Sequence, residues 1–372
     1  MPYDPYKALY LHIPFCVKRC GYCDFATRAV PRDSAAIDEY VESLVMDIRR
    51  ASKEGKLGAL ETVYLGGGTP SHIGMGRLSM LLYALAMSMH LEPEVECTME
   101  ANPESLTDAM VRDIWALGVN RLSLGVQSFD DDVLRILGRA HDGDGARRAI
   151  AAAQTRFENV SVDLMCGIPG QSAESFAESV REAVALGATH VSVSPLSIEP
   201  HTPFDRAVMV GEMAEPDEDA EAEAMETARS ILEGAGFRRY EVASYARPGF
   251  ESRHNTAYWT GVPYLGLGRS AVTMTQSAER RRRVQDGRVV DDLDARQMAA
   301  EDRMRSMRMA RGVSDERVAR AAATIGSGPV YAVFHELAAL GLAEHRDGRW
   351  RPTERGWLCG NELYGRLLDL AP

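Results

Sequence analysis

The sequence has no run of about 18 apolar residues, the minimum from which a membrane-spanning helix is inferred. Its first residues also lack the basic segment followed by a long apolar segment that marks a secretory leader. We therefore expect a protein with no transmembrane helix and no leader, located in the cytoplasm.

Cysteine and positive charge are both scarce. Six cysteines in 372 residues do not resemble a disulfide framework and fit a reducing cytoplasm. The net charge is −12, from 54 acidic and 42 basic side chains. That balance argues against a general nucleic-acid binder and provides no basic surface for an anionic membrane. The four arginines at 280–283 are interpreted as a solvated loop.

Short apolar runs alternate with longer amphipathic segments over the first 200 residues. The pattern predicts strands over 8–12, 62–65, 95–100, 121–125, 159–165 and 190–195. It predicts helices over 37–51, 75–89, 107–117, 131–137, 145–157 and 172–186. Strands that alternate with helices indicate parallel βα units, and about six such units fit here.

Six βα units are compatible with a doubly wound sheet or with an incomplete barrel. A doubly wound sheet concentrates its site at one switch point, whereas barrel sites collect residues from the ends of several strands. The distinctive residues here follow several predicted strands, namely 66–70, Glu100, Gln127, Asp163 and Ser197. We therefore predict an α/β fold built on a partial (β/α)6 barrel.

The rest of the chain is predicted less regularly. An acidic segment at 211–223 begins a helix that runs to about 232, residues 239–242 form a strand, and 253–274 form a structured loop. From about 291, helices and a short hairpin around Asp347-Gly348 resemble a winged-helix module, interpreted as a lid or packing domain. The predicted regions are a barrel core at 1–235, a connecting region at 236–290 and a mainly helical C-terminal domain at 291–372.

Three cysteines, Cys16, Cys20 and Cys23, fall within eight residues directly after the first predicted strand. Soft thiolates select zinc, copper(I) or iron–sulfur clusters. A structural zinc site needs four ligands, for which only His12 is close in sequence. Three thiolates instead suit three irons of a cube, whose fourth iron stays open to a small molecule. The isolated cysteines are interpreted as buried thiols: Cys97, Cys166 and Cys359.

Cysteines spaced CX3CX2C after a first strand resemble the radical S-adenosylmethionine superfamily. Within it, the segment LYLHIPFC at 9–16 resembles the oxygen-independent coproporphyrinogen oxidase group, which includes the HemN oxidases and the HemW haem chaperones. The resemblance extends from about residue 8 to about residue 368. It implies a [4Fe–4S] cluster on Cys16, Cys20 and Cys23, with S-adenosylmethionine at the open iron.

The same resemblance implies a set of residues around the cofactor. The turn YLGGGTP at 64–70 matches the site of the methionine amino group, where glycines let the backbone approach a ligand closely. Arg139 is implied to bind the cofactor carboxylate, Asp163 a ribose hydroxyl, and Glu100 a hydrogen-bond donor of the cofactor. The full implied set is Tyr10, Tyr22, Gly67, Gly68, Thr69, Glu100, Gln127, Arg139 and Asp163. Ser197 and Val272 match later positions of the family's pocket.

Two functions compete within this group. An oxidase cleaves S-adenosylmethionine reductively, and the resulting radical removes hydrogen from a porphyrinogen propionate that is then lost as carbon dioxide. A chaperone binds haem and delivers it to acceptor proteins. Three features resemble the chaperones more than the oxidases. Phe25 stands where the oxidase pattern has a further cysteine, and few residues precede Cys16, where the oxidases carry an extension. The segment HNTAYW at 254–259 resembles the HNXXYW haem signature of HemW.

We therefore predict a haem chaperone in preference to an active oxidase. Imidazole is a good axial ligand of haem iron, so His254 is predicted to contact haem from a loop near the barrel rim. The implied partners are haem, haem-accepting proteins that include respiratory ones, and a second copy of the chain, with no nucleic acid. Two less favoured hypotheses are a branch of the superfamily that degrades haem or methylates substrates, and a purely structural protein.

Overall fold

The computed structural model describes residues 3–89 and 94–372. Within them, the strands in chain order are β1 Ala8–Ile13, β2 Phe15–Cys16, β3 Arg28–Ala29, β4 Thr62–Gly67, β5 Glu96–Ala101, β6 Arg121–Gln127, β7 Asn159–Cys166, β8 His190–Pro195, β9 Arg238–Arg239, β10 Ser244–Ala246, β11 Tyr264–Leu267, β12 Val272–Gln276, β13 Arg280–Gln285, β14 Arg288–Asp294, β15 Val313–Ser314, β16 Ala343–Arg346 and β17 Arg349–Pro352.

The α-helices of the same residues are α1 Ala35–Lys53, α2 Met75–Ser88, α3 Asp108–Ala116, α4 Asp131–Leu137, α5 Gly143–Gln154, α6 Ala173–Ala185, α7 Pro203–Met209, α8 Glu218–Gly234, α9 Arg253–Trp259, α10 Ala295–Ser306, α11 Asp315–Ile325, α12 Ser327–Ala339, α13 Glu354–Leu358 and α14 Gly360–Leu368. A 3-10 turn covers Pro70–Ile73. None of the described helices has the length and apolar character needed to cross a membrane.

Six parallel strands form the centre of the molecule. β1, β4, β5, β6, β7 and β8 lie side by side in chain order. A doubly wound sheet reverses its strand order, whereas a (β/α) barrel adds its strands in sequence. The predicted fold class is confirmed. The outermost strands of the whole sheet, β14 and β9, do not pair with each other within the described residues, so the sheet is open there.

Along a barrel strand, alternate side chains face either the hydrophobic core under the helices or the inside of the barrel. In β1, Leu9, Leu11 and Ile13 are fully buried in the cluster that packs the sheet against helices such as α1. Tyr10 and His12 point to the other face, where they line a cavity. Because successive side chains of a strand point to opposite faces, an apolar outer layer and a polar interior follow from one sequence pattern.

Side-chain caps start the helices that follow the barrel strands. Thr107, Asp130, Asp142 and Ser172 each accept a hydrogen bond from a backbone N–H in the first turn of α3, α4, α5 and α6. Such caps satisfy N–H groups that have no partner inside the helix. The caps fix the residue at which each loop after a strand ends and its helix begins. These loops contain residues of the site described below.

Residues 253–274, predicted as a structured loop, instead form α9, β11 and part of β12. β11 pairs with β1 in parallel, with Leu265 opposite Leu9, and extends the sheet. A Cβ on Gly266 would lie 2.3 Å from the Val272 carbonyl oxygen. The glycines that indicated a loop therefore permit close strand pairing, and the partner strand lies too far away in sequence for a local pattern to reveal it.

Two further element predictions need correction. The strand predicted over 239–242 is replaced by β9 and β10, which pair antiparallel, while Glu241 between them bridges to Met309. The helix predicted from the acidic segment begins later, at α8, because Asp217 caps it by accepting from the N–H groups of Asp219 and Ala220. The short helix α7 was not predicted.

The four arginines at 280–283 lie in β13, between β12 and β14, and not in a loop. Arg281 is 1% exposed. Its guanidinium pairs with Glu301 at 2.5 Å and with Asp302 at 2.7 Å, both on α10. The interpretation as a solvated run was wrong for this residue, because the carboxylates that neutralise it come from a later helix.

The C-terminal part has a hydrophobic cluster of its own, centred on Phe334, Leu337 and Trp350. β15, β17 and β16 form a three-stranded sheet beside α11 and α12. Asp347 and Gly348 have φ of +52° and +69°, as a two-residue hairpin turn requires. The mainly helical, winged-helix-like architecture predicted for this part is therefore present.

The division into 1–235, 236–290 and 291–372 stays a prediction. Residues 1–2 and 90–93 of the first region lie outside the described residues. β9 to β14 of the predicted connecting region, with α9, continue the barrel sheet on both edges. The connecting region is therefore structurally part of the barrel layer.

Candidate functional site: a cysteine pocket at the barrel rim

The three cysteines of the triplet line one pocket at the C-terminal ends of the barrel strands. Cys16 ends β2, Cys20 and Cys23 follow in the next loop, and all three are half-buried. The Thr69 hydroxyl donates to Cys16 Sγ at 3.5 Å, and Arg139 Nη1 donates to Cys20 Sγ at 3.5 Å. Donors aimed at sulfur stabilise thiolates and tune clusters, so the pocket fits a thiolate-bound cluster.

The thiols of the triplet influence the pKa of one another. Burial raises the pKa of the Cys16 thiol, and Cys23 and Cys20 add to that rise. Within the described residues, no three metal-binding side chains are already gathered as around a single ion. Because thiolates this close repel one another, a bound cation is what would hold all three deprotonated.

The other three cysteines differ from one another. Cys97 and Cys166 are buried, as predicted, and burial raises the pKa of each thiol to about 12. Cys359 was predicted to be buried but is exposed, because it lies at the junction of the short helices α13 and α14. These residues fit no shared ligand role, which agrees with their interpretation as isolated thiols.

The glycine turn lies directly against the cysteine loop. Gly67 has a φ of +115°, a conformation that residues with a Cβ avoid. A Cβ on Gly68 would lie 2.7 Å from the Phe15 carbonyl oxygen and 3.0 Å from Cys16 Sγ. The Gly68 N–H donates to the Ile13 carbonyl at 2.9 Å. Glycine is thus required at both positions, and the turn brings its backbone to the cysteines.

Asn102 links the turn to the arginine of the site. Its Nδ2 donates to Thr69 Oγ1 at 3.0 Å, and its Oδ1 accepts from Arg139 Nη2 at 2.9 Å. Arg139 also donates to the Gly125 carbonyl at 2.6 Å. Sequence reasoning missed Asn102 as a pocket residue, although its place two residues after Glu100, at the same strand end, was a usable signal.

Glu100 is half-buried and lines the pocket. Its Oε1 accepts from the Tyr64 hydroxyl at 2.7 Å, and its Oε2 accepts from the Gly67 N–H at 3.1 Å. Burial raises the pKa of Glu100 to about 7, against the opposing hydrogen bond from Tyr64. A carboxyl group that titrates near neutral pH in a pocket is typical of a functional site.

Asp163 and Gln127 complete the far wall. Asp163 accepts from the Ser123 hydroxyl at 3.0 Å and from the Ser161 hydroxyl at 3.3 Å, and burial raises its pKa. Gln127 has a φ of +67°, at a point where the pairing of β6 with β7 shifts register. Positive φ at a residue other than glycine is costly, and such strain clusters at functional sites.

All the implied cofactor residues except Tyr10 line the pocket of the cysteines. Tyr10 lines the adjoining cavity, together with Val272, and its hydroxyl shares a hydrogen bond with His12 Nδ1 at 3.0 Å. Tyr22 lies beside the cysteines, and burial raises its pKa. Ser197 is exposed and donates to Glu199. The roles of these residues stay predictions, but the structure brings nearly the whole set together.

His254 lies in the helix α9, and not on a loop near the rim. Its Nδ1 shares a hydrogen bond with Thr62 Oγ1 at 2.8 Å, and its backbone N–H donates to Glu96 Oε1 at 2.9 Å. Thr62 and Glu96 are the first residues of β4 and β5, so His254 lies at the end of the barrel opposite the cysteines. The predicted position was wrong because Ser252 caps a helix there, which closes the barrel from below.

Both ring nitrogens of His254 are engaged. Nε2 shares a hydrogen bond with the Tyr258 hydroxyl at 3.0 Å. The side chain is 1% exposed, and burial lowers its pKa to about 3. An axial bond to haem iron needs a free ring nitrogen, so His254 as placed does not offer one. Haem contact by this residue stays a prediction.

The rest of the HNXXYW segment faces a large space inside the barrel. We call this cavity of about 760 Å³ the inner chamber. Asn255, Tyr258 and Trp259 line it, and Tyr64 and Tyr264 add further aromatic surface. Glu100, Ser123 and Asp163 line both the chamber and the cysteine pocket. The segment therefore contributes to the chamber through residues other than its histidine.

Comparison with known proteins agrees with this geometry. The sequence model of the Radical SAM superfamily matches residues 10–183. The chain is 32% identical to the haem chaperone HemW of Bacillus subtilis, over 97% of this chain and 99% of that relative. The chain belongs to the HemW family. The haem chaperone HemW of Mycobacterium tuberculosis is 40% identical over 73% of this chain and 70% of its own length.

A solved structure supports the fold of this HemW family member. Coproporphyrinogen III oxidase (HemN) from Escherichia coli, a radical SAM enzyme, matches with a TM-score of 0.80 at 21% identity. The match covers 98% of this chain and 90% of the oxidase. At that identity the similarity shows the fold alone, which here includes the C-terminal part. Choosing between oxidase and chaperone therefore depends on the residues of the chain itself.

Proposed function

We propose that the protein is a haem chaperone that holds a [4Fe–4S] cluster on Cys16, Cys20 and Cys23 and binds S-adenosylmethionine beside it. The observation that carries the proposal is the shared pocket of the three half-buried thiols and the glycine turn, in a chain of the HemW family. Three protein ligands leave one iron of a cube for the cofactor. The cellular location that we propose for the protein is the cytoplasm.

Different residues of the pocket are proposed to bind different groups of the cofactor. Carbonyl groups of the glycine turn and Glu100 would accept from the methionine ammonium group, and Arg139 would bind the carboxylate. Asp163 already accepts from hydroxyl groups of Ser123 and Ser161, so it suits the hydroxyls of a ribose. When bound, the cluster supplies an electron and an open coordination position.

Phe25 supports a chaperone over an oxidase. It stands two residues after Cys23, at the position where the oxidase pattern has a further cysteine, and it is 64% exposed. It also lines the cysteine pocket, the adjoining cavity and the inner chamber. An apolar side chain at the shared mouth of three cavities favours contact with a flat apolar ligand such as a porphyrin. Delivery would then pass haem to acceptor proteins, including respiratory ones.

A paired assay tests this proposal. We expect the anaerobically reconstituted protein to bind haem with a defined stoichiometry in an absorbance titration, and to leave coproporphyrinogen III intact in the presence of S-adenosylmethionine and a reductant. The control is the same titration with protein unfolded in urea, which measures non-specific haem binding. Decarboxylation of coproporphyrinogen III would reverse the choice in favour of the oxidase.

Replacing His254 distinguishes two roles of this residue, axial ligation of haem iron and support of the chamber wall through Tyr258. We expect His254→Ala to weaken haem binding about tenfold while leaving the Soret maximum unchanged, because Tyr258 loses its buried hydrogen-bond partner and the chamber wall shifts. Absorbance titration of both proteins measures affinity and spectrum together.

His201→Ala is the matched control, since His201 is an exposed histidine with no such buried role. A displaced Soret maximum in His254→Ala would instead support axial ligation by His254, as the sequence predicts. That result would require Nε2 to exchange the Tyr258 hydroxyl for iron.

A further inference from the structure

The inner chamber contains a buried arginine that has no carboxylate in direct contact. Arg121, the first residue of β6, is 2% exposed and lines the chamber. Within the part of the chain that the structure describes, its side chain makes no hydrogen bond or ion pair, and its Nε is buried without a partner. Burying an unpaired guanidinium is costly, so such a residue normally has a counter-ion.

A second arginine of the chamber, Arg308, is half-buried and also forms no ion pair with the described residues. Arg308 stacks between two rings, its guanidinium carbon 5.0 Å from the centre of Trp259 and 4.3 Å from that of Tyr364. Its Nε is buried and lacks a hydrogen-bond partner among the described residues. The neighbouring Arg305 shows the contrast, because it donates to Glu301 at 3.0 Å and to the Tyr258 carbonyl at 3.1 Å.

Both arginines act on one short segment of the chamber wall. Burial raises the pKa of Tyr240, and the charge of Arg121 opposes part of that rise. Burial raises the pKa of Glu241 as well, and Arg308 opposes part of it. Tyr240 and Glu241 are consecutive residues between β9 and β10. Arg308 lies beside them, because Glu241 bridges to Met309 and the Ala310 N–H donates to the Tyr240 carbonyl at 3.0 Å.

The carboxyl groups that face the chamber already have partners. Glu100 accepts from Tyr64 and Gly67, Asp163 accepts from serines, and Glu241 accepts from Trp259 Nε1 at 3.1 Å. Glu301 pairs with three arginines. None of the four lies within 4.0 Å of Arg121 or Arg308 as an ion pair among the described residues. The charge of Arg121 does oppose part of the rise that burial causes in the pKa of Glu100 and of Asp163. Because neither guanidinium is in contact with a carboxylate, both can accept an added anion.

We infer that the inner chamber receives the porphyrin of haem, with its two propionates on Arg121 and Arg308. This inference rests on the proposed function. Haem is a flat apolar ring with two carboxylates at one edge, and the chamber offers aromatic walls and two guanidinium groups that form no ion pair with the described residues. Arginine is well suited to carboxylates because its planar fork donates two parallel hydrogen bonds. The HNXXYW segment then contacts the ring through Tyr258 and Trp259.

Haem and haem dimethyl ester, whose two carboxylates are neutralised, test the inference with the full-length reconstituted protein. We expect the unaltered protein to bind haem about tenfold more tightly than the diester, since the free propionates accept charge-assisted hydrogen bonds that the esters cannot match. Arg121→Gln and Arg308→Gln should each lose about tenfold in affinity for haem and little for the diester. Arg135→Gln, at an exposed ion pair on α4, is the control and should change neither affinity.

Each other outcome is informative. Equal affinity of the unaltered protein for haem and the diester would overturn the inference and leave the proposed function standing. Equal losses for both ligands in the variants would do the same, because they would report damage to the chamber and not loss of a charge contact. Absence of haem binding by the unaltered protein would overturn the proposed function itself. If Arg121→Gln does not fold, Arg308→Gln and the diester comparison still decide the question.

Discussion

Replacing Cys20 with alanine is expected to abolish the iron–sulfur cluster. The unaltered protein, reconstituted under anaerobic conditions, should hold about four irons per chain, as a cubane cluster requires. Cys20→Ala removes one of only three thiolates, together with the sulfur to which Arg139 donates. Two protein ligands cannot hold a cube against loss to solvent, so iron content should fall to near zero. Colorimetric iron and sulfide analysis and the visible absorbance of the cluster measure this.

Cys16→Ala and Cys23→Ala should behave in the same way as Cys20→Ala. The matched control is Cys359→Ala, which removes an exposed thiol elsewhere in the chain and should retain the full iron content. Stoichiometric zinc with no iron in the unaltered protein would contradict the assignment of a cluster. Iron retained by all three single variants of the triplet would contradict the assignment of these ligands.

Arg281→Leu is expected to lower the free energy of unfolding by about 3 kcal/mol. Arg281 is buried in β13, where it pairs with Glu301 and Asp302 and donates to Gln276 Oε1 at 2.8 Å. Removing one partner of a buried ion pair leaves the other charges without compensation, which costs far more than breaking a surface pair. Urea unfolding followed by circular dichroism measures the loss.

Arg280→Leu is the matched control for this prediction. Arg280 is the preceding residue on the same strand, and it pairs with Asp292 at 2.6 Å with 56% of its side chain exposed. An exposed pair of this kind contributes about 0–1 kcal/mol, so the variant should unfold almost as the unaltered protein does. Equal losses in the two variants would show that the network around Glu301 contributes no special stability.

The barrel could be predicted because its signals are local. Each apolar run, such as the one that became β1, is followed by an amphipathic helix, and parallel strands bring their ends to one edge. From the sequence alone, that rule predicts that Glu100, Gln127 and Asp163 lie in one pocket. The glycine turn was recognisable from its sequence motif, although the close contacts that require glycine at residue 68 are with Phe15 and Cys16, which are distant in sequence.

The largest errors concern partners that are distant in sequence, whereas the start of α8 and the helix at His254 depend on local caps. β11 pairs with β1, and Arg281 is neutralised by α10, although neither partner is visible in a window around the residue. His254 carried a family signature, but the signature did not reveal that Thr62 and Tyr258 would engage both ring nitrogens. Composition predicts exposure from residue type alone, whereas burial of a polar group depends on which partners the complete fold supplies.

The shared wall of the cysteine pocket and the inner chamber has a thermodynamic consequence. Because Glu100, Ser123 and Asp163 border both spaces, a ligand that shifts them from one side alters the surface met by a ligand on the other. Linkage requires that any effect of the first ligand on the affinity of the second is returned by an equal factor. In the proposed function, haem binding and cofactor binding would therefore share one coupling free energy, to which the side chains that border both spaces contribute.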